Sequence, residues 1–507
     1  MNMRDFPEVP TTAGAVRGRR EEELAVFRGI PYAQPPVGAA RFGAPRPVDR
    51  WDGVRNAWAF GPPPPQEPIG PETAPVGDTP SGDDWLTVNV WTPDPDPAAL
   101  RPVMVWIYGG AYKLGSADDP AYDASRLARE NGVVMVTFNY RVGVEGFLRI
   151  EGAPANRGLL DQIAALEWVR DNITAFGGDP EQVTVFGESA GAGSVAALLT
   201  VPRARSLFRR AIAQSVPGPL FSDALAGDIA EVLVGGVGLR PTVADLSGAD
   251  PRELAAAGAA LTSRMRGYAD RWGPVAFTPT AFAPVVDGDV LAVTPWEALA
   301  RGDARDVELV VGHTRDEFRL FLHLDGTLGR RVDEDLASLV LGLFGPAPDA
   351  EQTYRAAFPD ASAEHLFELV QSDWLFRMPS LHLADAHTSG GGRTYLYELT
   401  FPAPAGDGAL GACHALDVPL AFGVYGGIGD MLIGPVPSPE TEALSARFRS
   451  AWTAFATTGD PGWPAYDTDR RLVQLLDTAP AVAAYPEEAS RRLWERHVFA
   501  PLPLVTP

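Results

Sequence analysis

The 507-residue sequence is poor in cysteine and lysine: it contains one cysteine, Cys413, and one lysine, Lys113. A single cysteine cannot form an internal disulfide, so the stability of the fold does not depend on the redox compartment. The sequence has no run of about 18 apolar residues, and the N-terminal stretch MNMRDFPEVPTTAG lacks the apolar core that a secretory signal needs. We therefore expect a cytoplasmic protein without a membrane span.

Positive charge is also scarce. Acidic residues number 65 against 42 lysine and arginine residues, which gives a formal net charge of −23. Such a surface is repelled by phosphate backbones, so we expect no nucleic-acid partner. A content of 46% hydrophobic and 21% charged residues is typical of a globular chain with a large core.

Strand-like and helix-like segments alternate along the chain. PVMVWIY (102–108) and GVVMVTFNY (132–140) are short, apolar and rich in β-branched residues, as buried parallel strands are. Residues 156–180 have helical apolar spacing and end in the stop signals Gly177 and Gly178. Further strand candidates are QVTVFG, RRAIAQS, VELVVGH and TYLYELT. The alternation predicts an α/β protein whose mostly parallel central sheet is flanked by helices.

The domain organisation predicted from the sequence is simple. No internal repeat is visible and no linker clearly divides the chain, which predicts one domain over residues 1–507. The proline- and glycine-rich stretch 61–82 is expected to be a long surface loop, because a strand-like segment follows at once. This loop and the insertions around 217–300 and 326–390, which are largely helical in pattern, are expected to form a lid and pocket walls.

A candidate nucleophile, Ser189, lies in the stretch VTVFGESAGAGSV between Gly187 and Gly191. The preceding segment is strand-like and the following one helix-like, which is the context of a nucleophile elbow. Such a turn is so sharp that bulky residues two positions on either side of the serine would clash. It also presents the N–H of Ala190 at a helix N-terminus, where it can hold a developing oxyanion. The alternative is a turn whose small residues crowd together for steric reasons only.

A second motif lies upstream of the serine. VWIYGGAYKLGS carries a strand directly into Gly109, Gly110 and Ala111, whose small side chains allow backbone N–H groups to face a cavity. An ordinary glycine turn after a strand is the alternative. The position ahead of the elbow is where the chain order of an esterase has its oxyanion loop.

Further stretches, spread over almost the whole chain, follow the order of a known family. They include FRGIPYAQPPVGAARF, DDWLTVNVWTP, NYRVGVEGFL, APVVDGDVL, HALDVPLAFG and WTAFATTGDPGWPAY. The chain resembles the type-B carboxylesterases, a branch of the α/β-hydrolase fold, and is closest in character to the bacterial para-nitrobenzyl esterases. The resemblance implies an α/β-hydrolase fold with helical insertions that roof the active site. It also implies hydrolysis of short to medium acyl or aryl esters through an acyl-enzyme intermediate.

The resemblance further implies a Ser-Glu-His triad in this chain order. Its acid matches Glu317 in GHTRDEFRLF, and its histidine matches His414 ahead of ALDVPLAFG. On chemistry alone Asp316 could be the acid, and six other histidines could accept a proton. The resemblance also implies an oxyanion hole made by three N–H groups, those of Gly110, Ala111 and Ala190.

Other residues are candidates for supporting roles. Glu188, next to the serine, is expected either to order water and tune the histidine or only to hydrogen-bond the scaffold, and Ser215 is a second supporting candidate. Phe318 and Val216 stand where the family commonly has small residues, which puts the size of the acyl pocket in question. The candidate pocket walls, which could also be ordinary core residues, are Tyr112, Phe318, Leu320, Phe321 and Trp374.

Rival functions stay open at this stage. A non-catalytic binding module of the neuroligin type would have lost its nucleophile, whereas a carbamate or amide hydrolase would share the triad and cannot be separated by sequence. Cys413 beside His414 suggests thiol catalysis, but a buried, inert thiol is the stronger interpretation. We expect a small-molecule ester substrate, no metal or organic cofactor, and a monomer or weak homo-oligomer.

Overall fold

The computed structural model describes residues 6–66 and 82–505. Within them the chain forms two compact units. Unit 1 comprises the described residues up to Arg210, Leu220–Thr294 and the residues from Pro501, and unit 2 comprises Ala211–Pro219 and Pro295–Ala500. Most of the predicted loop 61–82 lies outside the described residues, and the single domain over 1–507 stays a prediction.

The strands and helices are numbered in chain order. The strands are β1 (Glu8–Pro10), β2 (Ala15–Arg17), β3 (Arg19–Glu21), β4 (Leu24–Pro31), β5 (Val54–Asn56), β6 (Thr87–Thr92), β7 (Arg101–Ile107), β8 (Val134–Phe138), β9 (Gly178–Glu188), β10 (Arg210–Gln214), β11 (Phe221–Ser222), β12 (Val285–Val286), β13 (Glu308–Thr314), β14 (Thr394–Leu399), β15 (Leu472–Leu476) and β16 (Ala481–Ala484). The helices are α1 (Ser125–Asn131), α2 (Gly143–Phe147), α3 (Arg157–Asn172), α4 (Ala190–Leu198), α5 (Pro202–Arg205), α6 (Asp223–Gly235), α7 (Val243–Leu246), α8 (Pro251–Thr262), α9 (Ala269–Trp272), α10 (Pro295–Ala300), α11 (Arg319–Leu324), α12 (Glu334–Phe344), α13 (Ala350–Ala357), α14 (Ala363–Ser372), α15 (Met378–Ser389), α16 (Asp417–Phe422), α17 (Ile428–Leu432), α18 (Pro439–Thr458) and α19 (Glu488–Trp494). A π-helical turn, Asp373–Arg377, joins α14 to α15.

Unit 1 contains the strand order β9-β7-β8-β6-β4-β3. Strand β7 is parallel to both β8 and β9, whereas β6, β4 and β3 extend the sheet with antiparallel pairs. Every residue of β6 and β8 is buried, and α1, α3 and α4 contact these strands and their neighbours. The apolar runs in the sequence thus correspond to buried strands, as parallel sheets covered by helices require.

Unit 2 contains the strand order β16-β15-β14-β13-β10. Strands β13, β14 and β15 are parallel, and β16 pairs antiparallel with β15. Helix α15 packs against β13 and β14, and the Trp452 indole in α18 donates to Gln214 Oε1 at the end of β10, at 3.0 Å. In both units parallel strands lie among helices, which confirms the predicted α/β class.

The two regions expected to be helical insertions are indeed rich in helix. Helices α6 to α9 lie within residues 217–300, and α12 to α15 lie within residues 326–390. Their assignment as a lid and pocket walls stays a prediction. Within the described residues, no helix has both the length and the apolar character needed to cross a membrane.

The start of α4 packs unusually closely against β7, and only small residues permit this. A Cβ added at Gly191 would lie 2.0 Å from the Ile107 carbonyl oxygen, and one added at Gly187 would lie 2.7 Å from the same oxygen. Real Cβ atoms do not approach a backbone oxygen so closely. The two glycines around Ser189 therefore have the steric task that the sequence predicts for them.

We expect Gly191→Ala to destabilise the protein by about 3 kcal/mol or more, because the clash is with backbone that cannot move aside without disturbing the sheet. Gly227→Ala is the matched control, since Gly227 lies inside α6 and an added Cβ would meet nothing within 4 Å. The control should stabilise the protein by about 0.5–1 kcal/mol, because alanine favours a helix interior. Thermal and denaturant unfolding of both variants checks this, and equal stabilities would contradict it.

Candidate active site

Ser189 occupies the turn between β9 and α4 with a strained backbone. Its φ of 56° and ψ of −124° are unusual for a residue that is not glycine. Such conformations cost about 1–3 kcal/mol and persist where the surrounding structure determines them, often at functional sites. Ser189 is only partly buried, whereas Glu188 and Ala190 on either side of it are buried. The sheet and helix thus hold the serine in a fixed, accessible position.

The glycine loop, residues 109–115, lies beside this turn in unit 1. A Cβ added at Gly109 would lie 3.1 Å from Ser189 Cβ, 2.9 Å from the Glu188 carbonyl oxygen and 3.0 Å from Glu188 Oε2. A larger side chain at this position would therefore push the loop away from the serine. The glycine loop and the turn that carries Ser189 therefore lie close together in unit 1.

The carbonyl groups of the glycine loop are bonded to the protein. Gly110 O accepts from the N–H groups of Lys113 and Leu114, both at 3.1 Å, and Tyr112 O accepts from the Gly143 N–H at 2.7 Å. Each peptide plane has its N–H and C=O on opposite sides. The bonds to Gly110 O hold the peptide plane whose opposite side carries the Ala111 N–H, so they fix the direction of that N–H.

Three N–H groups near Ser189 are available to a ligand. Within the described part of the chain, the N–H groups of Gly110 and Ala111 donate to no protein acceptor, and both residues are partly exposed. Ala190 is the first residue of α4, where an N–H has no acceptor within the helix. Such N–H groups can bind a negatively charged oxygen.

Unit 2 holds a hydrogen-bonded pair of a histidine and a glutamate. His414 Nδ1 lies 2.6 Å from Glu317 Oε2, and both side chains are buried, with exposed fractions of 4% and 0%. The other carboxylate oxygen, Oε1, accepts from Ser215 Oγ at 2.6 Å and from the Thr314 N–H at 2.9 Å. Glu317 lies in the turn between β13 and α11, three residues after the end of β13, so the parallel strands of unit 2 fix its position.

The surroundings of Glu317 keep its carboxyl group ionised. Burial acts to raise the pKa of the carboxyl, but the neighbouring His414 charge and the donors from His414, Ser215 and Thr314 outweigh it and hold the pKa below its usual range. An ionised carboxylate only accepts hydrogen bonds, so Nδ1 of His414 carries the proton. When the imidazole is neutral, Nε2 is a proton acceptor.

Two phenylalanine rings cover the imidazole of His414. The Phe376 ring stacks on it with centroids 4.1 Å apart and an interplanar angle of 24°, and the Phe321 ring lies 5.3 Å away at 33°. The sequence indicated Phe321 and Trp374 as pocket residues. It did not indicate that Phe376 stacks on His414 or that the Thr314 N–H donates to Glu317. The π-helical turn Asp373–Arg377 changes the phase of the helix at this point, so ordinary helical spacing does not indicate which side chain faces His414.

The alternative acid and the alternative nucleophile have other surroundings. Asp316 Oδ2 accepts from the Ala412 N–H at 2.8 Å, and its carboxylate pairs with Arg315 and Arg319. Cys413 is fully buried, and burial raises the pKa of its thiol well above the ordinary value. A thiol in this state is a poor nucleophile, because the thiolate is the reactive form.

The predicted pocket residues of unit 2 differ in exposure. Phe318 and Phe321 are partly exposed, with ring centroids 5.5 Å apart, whereas Leu320 is buried in α11. Trp374 is buried, and its ring lies 4.8 Å from that of Phe344. Of the predicted pocket residues in the described part of unit 2, Phe318 and Phe321 thus present accessible apolar surface, and Phe321 lies beside His414.

The remaining candidates of unit 1 are buried. The ring of Tyr112 lies 4.8 Å from that of Phe147, and Glu188 ends β9 next to the glycine loop. The structure therefore brings together Ser189, Glu188 and the glycine loop in unit 1, and Glu317, His414 and Ser215 in unit 2. Among residues 6–66 and 82–505, no group of three or more His, Cys, Asp or Glu side chains is placed to hold a metal ion.

Comparison with known proteins extends over nearly the whole chain. The model of the carboxylesterase family matches residues 5–494. The para-nitrobenzyl esterase of Bacillus subtilis (strain 168) is 37% identical over 495 residues, which cover 96% of this chain and 97% of that protein. The phenmedipham hydrolase of Pseudarthrobacter oxydans is 34% identical over 503 residues, with 96% and 99% covered.

A solved structure shows the same similarity in three dimensions. The Geobacillus stearothermophilus carboxylesterase EST55 at pH 6.2 matches with a TM-score of 0.83 and 37% identity, over 96% of this chain and 99% of that chain. Neither a binding module nor an amide or carbamate hydrolase is favoured by these similarities. The protein has the α/β-hydrolase fold and hydrolyses carboxylic esters as a serine hydrolase. It belongs to the carboxylesterase family.

Proposed function

We propose that Ser189, His414 and Glu317 form the catalytic triad of this carboxylesterase. The observation that carries the proposal is the short bond between His414 Nδ1 and a carboxylate whose other oxygen accepts two further hydrogen bonds. A structural glutamate and a surface histidine would not need such an arrangement. The strained backbone of Ser189 after β9 supports its role as the nucleophile.

In the proposed reaction, Ser189 Oγ attacks the ester carbonyl while Nε2 of His414 takes the hydroxyl proton. The C–O bond to the alcohol then breaks, the alcohol receives that proton, and an acyl group stays on the serine. A water molecule, deprotonated by His414, attacks the acyl-enzyme and releases the acid. Glu317 holds the imidazole in the required tautomer and stabilises its positive charge in both steps.

We propose that the N–H groups of Gly110, Ala111 and Ala190 bind the oxyanion of each tetrahedral intermediate. The support is that Gly110 O accepts from the Lys113 and Leu114 N–H groups of the same loop, whereas the N–H groups of Gly110 and Ala111 have no protein acceptor among the described residues. One such donor typically contributes about 2.7–4 kcal/mol to transition-state stabilisation. Glu188, buried beside the loop, is proposed to support this site by ordering water and tuning the histidine.

We propose short to medium acyl or aryl esters as substrates. The support is the pair of accessible aromatic rings, Phe318 and Phe321, beside the proposed base, together with Val216 where the family commonly has a smaller residue. Tyr112, Leu320 and Trp374 are proposed to complete the pocket, beneath a lid from residues 217–300 and 326–390 of a single domain. The protein is proposed to act as a monomer or weak homo-oligomer, and its lack of disulfides suits the cytoplasm.

Partitioning of the acyl group tests the acyl-enzyme mechanism. Esters that share one acyl group but differ in the leaving alcohol should give the same ratio of acid to methyl ester when methanol is added, because all form the same acyl-enzyme. Product analysis by chromatography measures this ratio, and a series of acyl chain lengths measures the size of the pocket. A ratio that changes with the leaving alcohol would contradict the acyl-enzyme mechanism.

A further inference from the structure

The glycine loop is held in a conformation that its own sequence does not favour. Gly110, Ala111 and Tyr112 have φ values of 110°, 56° and 58°, so two consecutive residues with side chains adopt a left-handed backbone. Each such residue costs about 1–2 kcal/mol relative to an ordinary conformation. Contacts from elsewhere in unit 1 must therefore hold this part of the loop in place.

Residues 278–282, distant in sequence, supply two of these contacts. Thr280 Oγ1 donates to the Ala111 carbonyl oxygen at 2.8 Å, and Lys113 Nζ donates to the Pro279 carbonyl oxygen at 2.6 Å. The two bonds run in opposite directions between the same two segments. Lys113, the only lysine of the chain, is thus used to attach the glycine loop to this segment.

The position of Thr280 is itself fixed by local hydrogen bonds. Its Oγ1 accepts from the Phe282 N–H at 3.1 Å, and its carbonyl oxygen accepts from Thr278 Oγ1 at 2.9 Å. The single Thr278 hydroxyl proton is shared between this oxygen and the Val275 carbonyl oxygen, which lies 2.8 Å from Thr278 Oγ1. The Thr280 hydroxyl therefore meets the loop from a rigid support.

We propose that Thr280 is a positioning residue that orients the oxyanion donors, with Lys113 as a second attachment. The Thr280 bond fixes the peptide plane after Ala111, while the bonds to Gly110 O fix the plane before it, which carries the Ala111 N–H. Without Thr280, the left-handed residues can relax and rotate that N–H away from the oxyanion. The inference rests on the proposed role of Gly110 and Ala111 in catalysis.

Thr280→Val tests this, because valine keeps the shape but cannot donate to Ala111 O. We expect kcat to fall about 10- to 100-fold while KM changes less than about threefold, less than the loss of a whole oxyanion donor. Affinity for a trifluoromethyl ketone, which forms a tetrahedral adduct, should fall by a similar factor. Thr280→Ser, which keeps the hydroxyl, should restore kcat to within about threefold of the wild type.

Thr262→Val is the matched control, because it removes a hydroxyl of the same unit that donates to the Gly258 carbonyl oxygen within α8, at 3.0 Å, and has no part in holding the glycine loop or Thr280. Its kcat should stay within about threefold of the wild type. If Thr280→Val fails to fold, Lys113→Met carries the same prediction with a fall in kcat of about three- to tenfold at similar KM. Wild-type kcat in the folded Thr280→Val variant, or equal losses in Thr280→Val and Thr262→Val, would overturn the inference.

The outcome for Thr280 can be separated from that for the triad. If Ser189→Ala is inactive but Thr280→Val keeps wild-type kcat and trifluoromethyl ketone affinity, the triad stands and only the positioning role is wrong. If Ser189→Ala retains activity, the proposed mechanism is wrong before Thr280 is considered.

Discussion

Replacing Ser189 with alanine is expected to lower kcat/KM for an aryl ester by about 10⁵- to 10⁶-fold, as loss of the nucleophile does in other serine hydrolases. The reason is that no other group can form the acyl-enzyme at this position. The proposed oxyanion donors would still accelerate attack by water about 10³- to 10⁴-fold over the uncatalysed reaction. Ester hydrolysis in the variant, measured with enough protein to detect that residual rate, checks the expectation.

Ser194→Ala is the control for this variant. Ser194 lies in the same helix α4, is buried, and accepts from Gln162 Nε2 at 3.0 Å. Removing its hydroxyl disturbs the helix without touching the turn, so activity should stay within about tenfold of the wild type. An active Ser189→Ala variant, or a Ser194→Ala variant equally inactive although folded, would contradict the assignment.

The second large effect is expected for Glu317→Gln, which should lower kcat by about 10³- to 10⁴-fold with the geometry largely kept. An amide NH₂ facing Nδ1 favours the wrong tautomer of His414 and cannot stabilise its positive charge. Asp316→Asn, the matched control, changes the neighbouring carboxylate, which accepts from the Ala412 N–H and pairs with arginines. We expect a loss below about tenfold for the control, because the imidazole keeps its carboxylate.

Stopped assays of both variants at saturating substrate measure this difference. If Asp316→Asn lost as much activity as Glu317→Gln, the acid would be assigned wrongly. If neither lost activity, a carboxylate would not be needed to orient the base.

The difference in unfolding free energy between the wild type and Glu317→Gln is expected to depend on pH. Because the folded protein holds the pKa of the Glu317 carboxyl below its ordinary range, ionised Glu317 stabilises the fold above that range, and the contribution disappears as the pH falls through the folded-state pKa. The free energy of unfolding of the wild type should therefore approach that of Glu317→Gln as the pH is lowered from neutral. Denaturant titrations at several pH values measure the difference.

Local sequence patterns predicted the elements that position the serine. A strand, a turn and a helix follow each other directly around Ser189, and a Cβ added at Gly187 would lie 2.7 Å from the Gly191 carbonyl carbon, so part of the steric requirement for these glycines is local. The same holds for the apolar runs that became β7 and β8. The assignment of Glu317 and His414 depended on family resemblance, because no local pattern distinguishes them from Asp316 and the other histidines.

What the sequence did not predict depends on contacts between distant segments or on irregular backbone. Thr280 meets Ala111 across 169 positions, and no periodicity connects the two. Phe376 reaches His414 from a π-helical turn that shifts the phase of side chains relative to an α-helix. Such features arise only when the chain has folded, since tertiary packing and not local propensity selects them.

Covalent labelling gives the most direct test of the central claim that Ser189 is the nucleophile. An organophosphonate ester should inactivate the protein with a stoichiometry of about one per chain, because the triad activates a single hydroxyl. Peptide mapping by mass spectrometry should then place the phosphonate on Ser189, and the Ser189→Ala variant should take up no label. Stoichiometric inactivation with the phosphonate on another residue, or labelling of Ser189→Ala at the wild-type rate, would contradict this account.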